Sequence, residues 1–266
     1  MGPIITMIKM NYTKALTLVV TALMSLVTPA LAQDNEVEAS VEATLVSKYM
    51  WRGQELGGVS LQPTATVSWQ GLSLTASGST GFERADGDEI DLQLDFSYNG
   101  LCLGINDYWH TGDDAENRYM KFDRDEGPHR IEGYVGYVCR YFGLQAFTTF
   151  WGQDFKPNGD RAYSTYIEAT LPFRVGGLSW QVKAGITPFE SGSHKEQKEA
   201  VTFLGPETIT YDSYYYADGP ACVMASIRAT KQLYWGDVRL PVFAEIHTNP
   251  YLQRASVLLG FSVIPF

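Results

Sequence analysis

The residues best suited to chemistry in this chain are its four histidines, His110, His129, His194 and His247. Nucleophilic hydrolysis needs a Ser or Cys, a His within hydrogen-bond reach and a third polar group that orients the ring. His110 is followed by Thr111-Gly112, His129 by Arg130-Ile131 and His194 by Lys195-Glu196, so none carries a Ser two positions on. His247 is the best placed, with Glu245 two residues before it and Ser256 in the next apolar segment. These three converge only if strand register sets them side by side, and a structural His is the expected role. Metal motifs are absent: the chain has no CxxC, HExxH or EF-hand loop. The acidic residues Asp107, Asp113, Asp114, Glu116, Asp123, Asp125 and Glu126 gather in one region at a spacing that fits no calcium loop, which reads as a solvated loop. No cofactor is expected. Cys102, Cys139 and Cys222 leave at least one thiol unpaired, and opposite facing of Cys102 and Cys139 predicts free thiols.

Composition narrows the elements that hold these groups. Hydrophobic residues make up 45%, aromatics 13% and charged residues only 19%, which excludes disorder. A mean hydropathy of −0.14 excludes a polytopic helical membrane protein. The net charge of −10 argues against nucleic acid as a partner. Lys9 and Lys14 precede an apolar run from Ala15 to Val27, and Thr28-Pro29-Ala30-Leu31-Ala32 places small residues before a cut after Ala32. Residues 1–32 therefore read as a secretory signal peptide and 33–266 as one barrel domain, with 18 basic against 30 acidic residues, net −12.

From Val37 onward the dominant period is two. Val37, Ala39, Val41, Ala43, Leu45, Tyr49 and Trp51 share one face, and Glu38, Ser40, Glu42, Thr44 and Lys48 the other. The same alternation returns at 61–69, 72–77, 90–98, 101–110, 129–140, 144–151, 161–172, 178–187, 221–231, 238–248 and 254–266. That predicts an all-β chain: a transmembrane antiparallel up-and-down β-barrel of about 12 strands, each long enough to cross a bilayer at a tilt. Turns such as Gln70-Gly71 and Asn99-Gly100 alternate with longer polar loops, among them 111–128 and 188–220. Aromatics fall at strand ends: Trp51, Phe82, Trp109, Trp151, Tyr163 and Tyr251 toward one rim, Trp69, Tyr98, Tyr141, Phe142, Phe173, Trp180, Tyr234 and Trp235 toward the other. Loop 188–220, with the run His194–Glu199 and Tyr211, Tyr214, Tyr215 and Tyr216, is either a plug or an extension of its strands.

If the apolar faces meet lipid, the opposite faces line a lumen. They carry Glu38, Glu42, Asp91, Asp95, Glu132, Glu168 and Glu245 against Lys48, Lys183, Arg228 and Arg239, an acidic excess that favours cations if the charges are unpaired. Mutually paired charges are the commoner outcome in a narrow interior.

The closing segment Ala255–Phe266 resembles the last strand of bacterial outer-membrane barrels, whose terminal Phe is read by the barrel-assembly machinery. Near the start, Val46-Ser47-Lys48-Tyr49-Met50-Trp51-Arg52-Gly53 resembles the opening of the TorF-type family of porins, with Lys48 where that family has an acid. These resemblances imply a Gram-negative outer-membrane barrel in contact with the lipid bilayer and lipopolysaccharide, serving as a porin-like channel for small solutes. A non-conducting structural or surface-binding barrel is the alternative. Outer-membrane phospholipases and lipid A deacylases place His and Ser two residues apart on one strand. That spacing is missing here, so no enzyme activity is expected and lipid hydrolysis is the remote reading.

Overall fold

The computed structural model describes residues 37–83, 88–110, 118–202 and 205–265. The proposed signal segment, Asp113, Asp114, Glu116 and Phe266 lie outside the described residues. In chain order the strands are β1 (Glu38–Val46), β2 (Tyr49–Trp51), β3 (Gln54–Gly57), β4 (Ser60–Trp69), β5 (Leu72–Gly81), β6 (Asp88–Tyr98), β7 (Leu101–His110) and β8 (His129–Val138). They continue with β9 (Gly143–Trp151), β10 (Thr165–Val175), β11 (Leu178–Thr187), β12 (Ser193–Thr202), β13 (Gly205–Tyr214), β14 (Ala221–Trp235), β15 (Val238–Asn249) and β16 (Arg254–Val263). Twelve of them form a closed barrel in the order β1-β16-β15-β14-β11-β10-β9-β8-β7-β6-β5-β4, every neighbour antiparallel. The seam is β1 against β16, where Leu45 pairs with Phe261 and Val46 with Gly260.

The alternation explains the closure. A one-residue slip would turn every apolar side chain inward, so register is set by which face each residue can tolerate. The outcome inverts a soluble protein: Leu74, Val257 and Leu259 stand 55%, 64% and 60% exposed, while Glu132, Asn106 and Glu245 are buried. Apolar side chains cover the outside and polar ones the inside, the polarity of a wall whose solvent is oil. Tight turns close one end. Gln70-Gly71 and Asn99-Gly100 have positive φ at both positions (51° and 84°, 49° and 87°), the primed geometry whose twist matches paired strands. We call this the turn end and the opposite one the loop end.

The first predicted strand is corrected. Alternation continues to Trp51, yet the wall strand stops at Val46. Ser47 ends it: its amide donates to the Leu259 carbonyl (2.8 Å) and its hydroxyl accepts from the Leu259 amide (2.9 Å). A side chain thus takes a ladder position, and the backbone turns into the barrel as the hairpin β2–β3. Trp51, expected at a rim, stands inside. Other bounds shift by a few residues: β5 runs to Gly81 rather than 77, β10 spans Thr165–Val175 rather than 161–172, β14 runs to Trp235 rather than 231, and β8 and β16 stop at Val138 and Val263 rather than 140 and 266. Loop 188–220 contains a two-stranded sheet of its own, β12–β13, that among the described residues pairs with no barrel strand.

Candidate functional site: a clasped lumen

The hairpin β2–β3 carries Arg52 at its tip, where Arg52 and Gly53 take φ of 47° and 87°. The guanidinium grips the inward carboxylate of Glu132 on β8 in a fork, Nη2 to Oε1 at 2.6 Å and Nη1 to Oε2 at 2.7 Å. Planar forks of this kind are what Arg offers and Lys does not. Nη1 also donates to the Tyr216 hydroxyl (2.7 Å), and the cation lies over the rings of Trp51, Phe147 and Tyr166 at 4.6, 4.4 and 4.7 Å. Glu132 receives two further donors, the Tyr108 hydroxyl at 2.8 Å and Asn106 Nδ2 at 3.2 Å. Both charged side chains are under a tenth exposed. Around the tip, Gly53 donates its amide to His247 Nε2 (3.1 Å), Asn249 Nδ2 donates to the Gly53 carbonyl (3.2 Å), and Lys48 pairs with Glu55 at 2.7 Å. Val46, Phe243 and Leu258 form an inward apolar cluster with Met50 against it.

The hairpin divides the lumen. Toward the loop end lies a cleft of about 890 Å³ between the hairpin, the end of β13 and the β15–β16 connection, lined by Tyr211, Tyr214, Tyr215, Tyr216 and Tyr251 among others. Toward the turn end lies a chamber of about 450 Å³ walled by strands from around the barrel. Lys48, Met50 and His247 line both. In the cleft, the Tyr211 hydroxyl donates to Glu196 (2.5 Å), and that hydrogen bond foremost holds the Glu196 carboxyl below its usual range.

The residues assigned to the inner wall from alternation divide into four groups. Lys48, Glu168, Lys183, Arg228 and Glu245 line the chamber. Lys183 pairs with Glu168 at 2.9 Å and Arg228 with Glu245 at 2.6 Å, and His247 joins Glu245 at 3.0 Å. Glu132 holds the clasp. Glu42, Asp91 and Asp95 lie on the inward parity of β1 and β6: Glu42 accepts from Thr44 (2.9 Å), Asp91 from Ser77 (3.4 Å), and Asp95 from Gln93 (2.9 Å) and Tyr134. Glu38 and Arg239 have that parity too but stand exposed at the turn end, outside the chamber.

Register does set His247 opposite Ser256. The hydrogen bonds nevertheless point elsewhere. His247 Nε2 accepts from Gly53, so its proton is on Nδ1 toward Glu245, and the Ser256 hydroxyl donates to Glu55 at 3.1 Å. Ser256 and His247 are each committed to the hairpin, and no base–nucleophile bond forms between them.

The alternation pattern missed Arg52, Asn106 and the chamber amides Gln62, Gln93, Gln145 and Gln181. The amides sat unremarked among the polar half of each strand. Arg52 had one local signal, the Gly53 that follows it. Tyr216, flagged within a candidate plug, does close on Arg52.

His129 has a structural task on the outer side of the wall. Its Nδ1 faces Asp107 (2.9 Å), its Nε2 faces the Tyr119 carbonyl (2.5 Å), and Phe122 stacks on the ring at 3.9 Å. His129→Ala is expected to release the 118–128 segment at a cost of about 2–3 kcal/mol, through lost burial and unmade hydrogen bonds. Faster tryptic cleavage at Lys121 and Arg124 with unchanged barrel resistance is the expected readout. Cleavage as slow as in the parent chain would show that the ring does not anchor the segment.

Comparisons place the chain only coarsely. No family profile and no curated protein matches it. Among solved structures, an outer membrane channel from Pseudomonas putida F1 aligns with 12% identity and TM-score 0.38, over 88% of this chain and 96% of that one. OmpF of Salmonella typhi, in complex with daunomycin, aligns with 11% identity and TM-score 0.35, over 86% and 98%. A bacterial polysaccharide outer membrane secretin aligns with 9% identity and TM-score 0.36, over 86% and 98%. At these values none of the likenesses assigns a role, and the identifiable statement about this chain is its architecture: a closed, twelve-stranded antiparallel barrel.

Proposed function

We propose that this chain is an outer-membrane, porin-like channel for passive passage of small solutes, its lumen narrowed by the hairpin Tyr49–Gly57. The observation that carries the reading is the pair of polar chambers, one on each side of the hairpin, that share Lys48, Met50 and His247 as lining inside a wall with an apolar exterior. An apolar exterior over strands of about ten residues suits a bilayer core. The resemblance of the Val46–Gly53 segment to TorF-type porins agrees with this, and the segment is the one that forms the constriction. Export through a signal peptide cut after Ala32, insertion by the assembly machinery through the closing segment Ala255–Phe266, and contact with lipopolysaccharide at the loop end belong to the same proposal. Glu42, Lys48, Asp91, Asp95, Glu132, Glu168, Lys183, Arg228, Arg239 and Glu245 are the proposed inner-wall charges, with Arg239 at the mouth.

Pairing cancels the charges that line the chamber, and the acidic excess that is left, Glu42, Asp91 and Asp95, is bonded to neutral partners outside it. The buried Arg52–Glu132 clasp favours a second reading, a non-conducting barrel that binds at its surface. Planar-bilayer recording of the purified chain decides between them. Steps of conductance in potassium chloride are expected, and a silent bilayer, with heat-dependent gel mobility proving the barrel intact, overturns the channel.

A further inference from the structure

We infer that the lumen selects small neutral polyhydroxylated solutes, sugars of one or two rings, over ions of similar size; this rests on the channel reading above. The charges that line the chamber are paired: Lys48 with Glu55, Arg52 with Glu132, Lys183 with Glu168 and Arg228 with Glu245, while Glu42, Asp91 and Asp95 lie outside its lining and bond neutral partners. Paired charges in a confined space offer little to an ion, which would have to shed water without gaining an opposite charge. Between the pairs stand the neutral amides Gln62, Gln93, Asn106, Gln145 and Gln181. An amide both donates and accepts, as does a sugar hydroxyl, so each can replace a water on either side of a hydroxyl group. Asn106 is 6% exposed and its Oδ1 is buried with no hydrogen-bond partner, an acceptor built into the wall beside the chamber.

The approach has matching chemistry. The loop-end cleft presents Tyr211 and Tyr251 at 42% and 38% exposure, with Tyr214 beside them. The electron-rich face of an aromatic ring attracts the C–H face of a pyranose, and the phenol edges hydrogen-bond its hydroxyls. Both cavities fall within the volume range of small-molecule sites.

The test is osmotic swelling of proteoliposomes holding the full mature chain, in isosmotic arabinose, glucose and sucrose against potassium gluconate and glucosamine hydrochloride, with potassium chloride conductance recorded in parallel. Neutral sugars are expected to enter about fivefold faster than charged solutes of like size, because the charges that line the chamber are already paired and replace little of an ion's hydration. Charged solutes that keep pace overturn the selectivity and leave the channel standing. No swelling in any solute and no conductance overturn the channel, and the inference with it. The double variant Gln93→Glu, Gln181→Glu is expected to lose the sugar preference and shift the reversal potential toward cations. If it retains the parent preference and potential while its heat-dependent mobility is normal, the amides do not select.

Discussion

Replacing Arg52 by Ala is expected to lower barrel stability by about 3–5 kcal/mol, because it strands a buried carboxylate rather than deleting a surface contact. Glu132 sits with its side chain 2% exposed and takes both oxygens' strongest donors from Arg52. Tyr108 and Asn106 remain after the substitution, but neither carries charge. The same change empties the space between the rings of Trp51, Phe147 and Tyr166 and leaves the Tyr216 hydroxyl without its donor. Two companions separate charge from packing. Arg52→Met with Glu132→Leu removes both charges while keeping apolar bulk, and is expected to recover most of the loss. Lys48→Ala breaks a pair whose side chains are 36% and 45% exposed, and is expected to cost about 1 kcal/mol or less. Urea-dependent unfolding in detergent micelles, followed by tryptophan fluorescence, reads all three. A loss for Arg52→Ala no greater than for Lys48→Ala would mean the clasp contributes no more than a surface pair. A functional readout accompanies it: with its tip unanchored, the hairpin is expected to fluctuate and the open-state current to rise.

The wall of this molecule was legible and its contents were not, for a physical reason. Alternation is local: Ile90 to Tyr98 or Val257 to Val263 reveals its period within a few residues, and Gln70-Gly71 marks a turn by itself. Pairing with the next strand then follows in chain order. The clasp has no local signature. Arg52 meets a carboxylate 80 residues away and a phenol 164 residues away, and neither distance leaves a trace in spacing. The departure at Ser47 was hidden because the period-two pattern continues through Tyr49 and Trp51, so aromatic residues bound for the lumen read as an outer girdle. The candidate charges were placed on the inward parity by the same rule, but the rule is silent on whether they stand alone. Glu168 with Lys183 and Glu245 with Arg228 are near-opposite residues of adjacent strands, a relation that appears only once register is fixed. The charges that line the chamber thus resolve into pairs, with Glu42, Asp91 and Asp95 left outside its lining, and the neutral amides between the pairs become the informative residues.

Gly53→Ala should unseat the hairpin while leaving the barrel closed. Gly53 holds φ at +87°, and a Cβ there would fall 1.9 Å from the Val223 carbonyl oxygen. The left-handed backbone alone costs a side-chain-bearing residue about 1–2 kcal/mol. The clash is worse, because the obstructing atom is backbone of β14: Val223 stands at a β-bulge between Cys222 and Met224, whose pairing with Ile186 and Gly185 of β11 holds it in place. The hairpin is the softer body, held at its tip by the Gly53 amide to His247, by Asn249 to the Gly53 carbonyl and by Arg52 to Glu132. All of these contacts require the tip to approach within the distance that the methyl forbids. Gly176→Ala isolates the backbone term: its φ is +63° and nothing lies within 4 Å of the position a Cβ would take. That control is expected to lose only the conformational cost and to keep parental behaviour otherwise. For Gly53→Ala, trypsin added to intact proteoliposomes is expected to cut after Arg52, which the parent chain shields, while heat-dependent mobility of the uncut barrel persists. Conductance is expected to rise in the same preparation. An uncut Arg52 with parental current would show that the wall yields before the hairpin does, and the hairpin would then be a fixed part of the barrel.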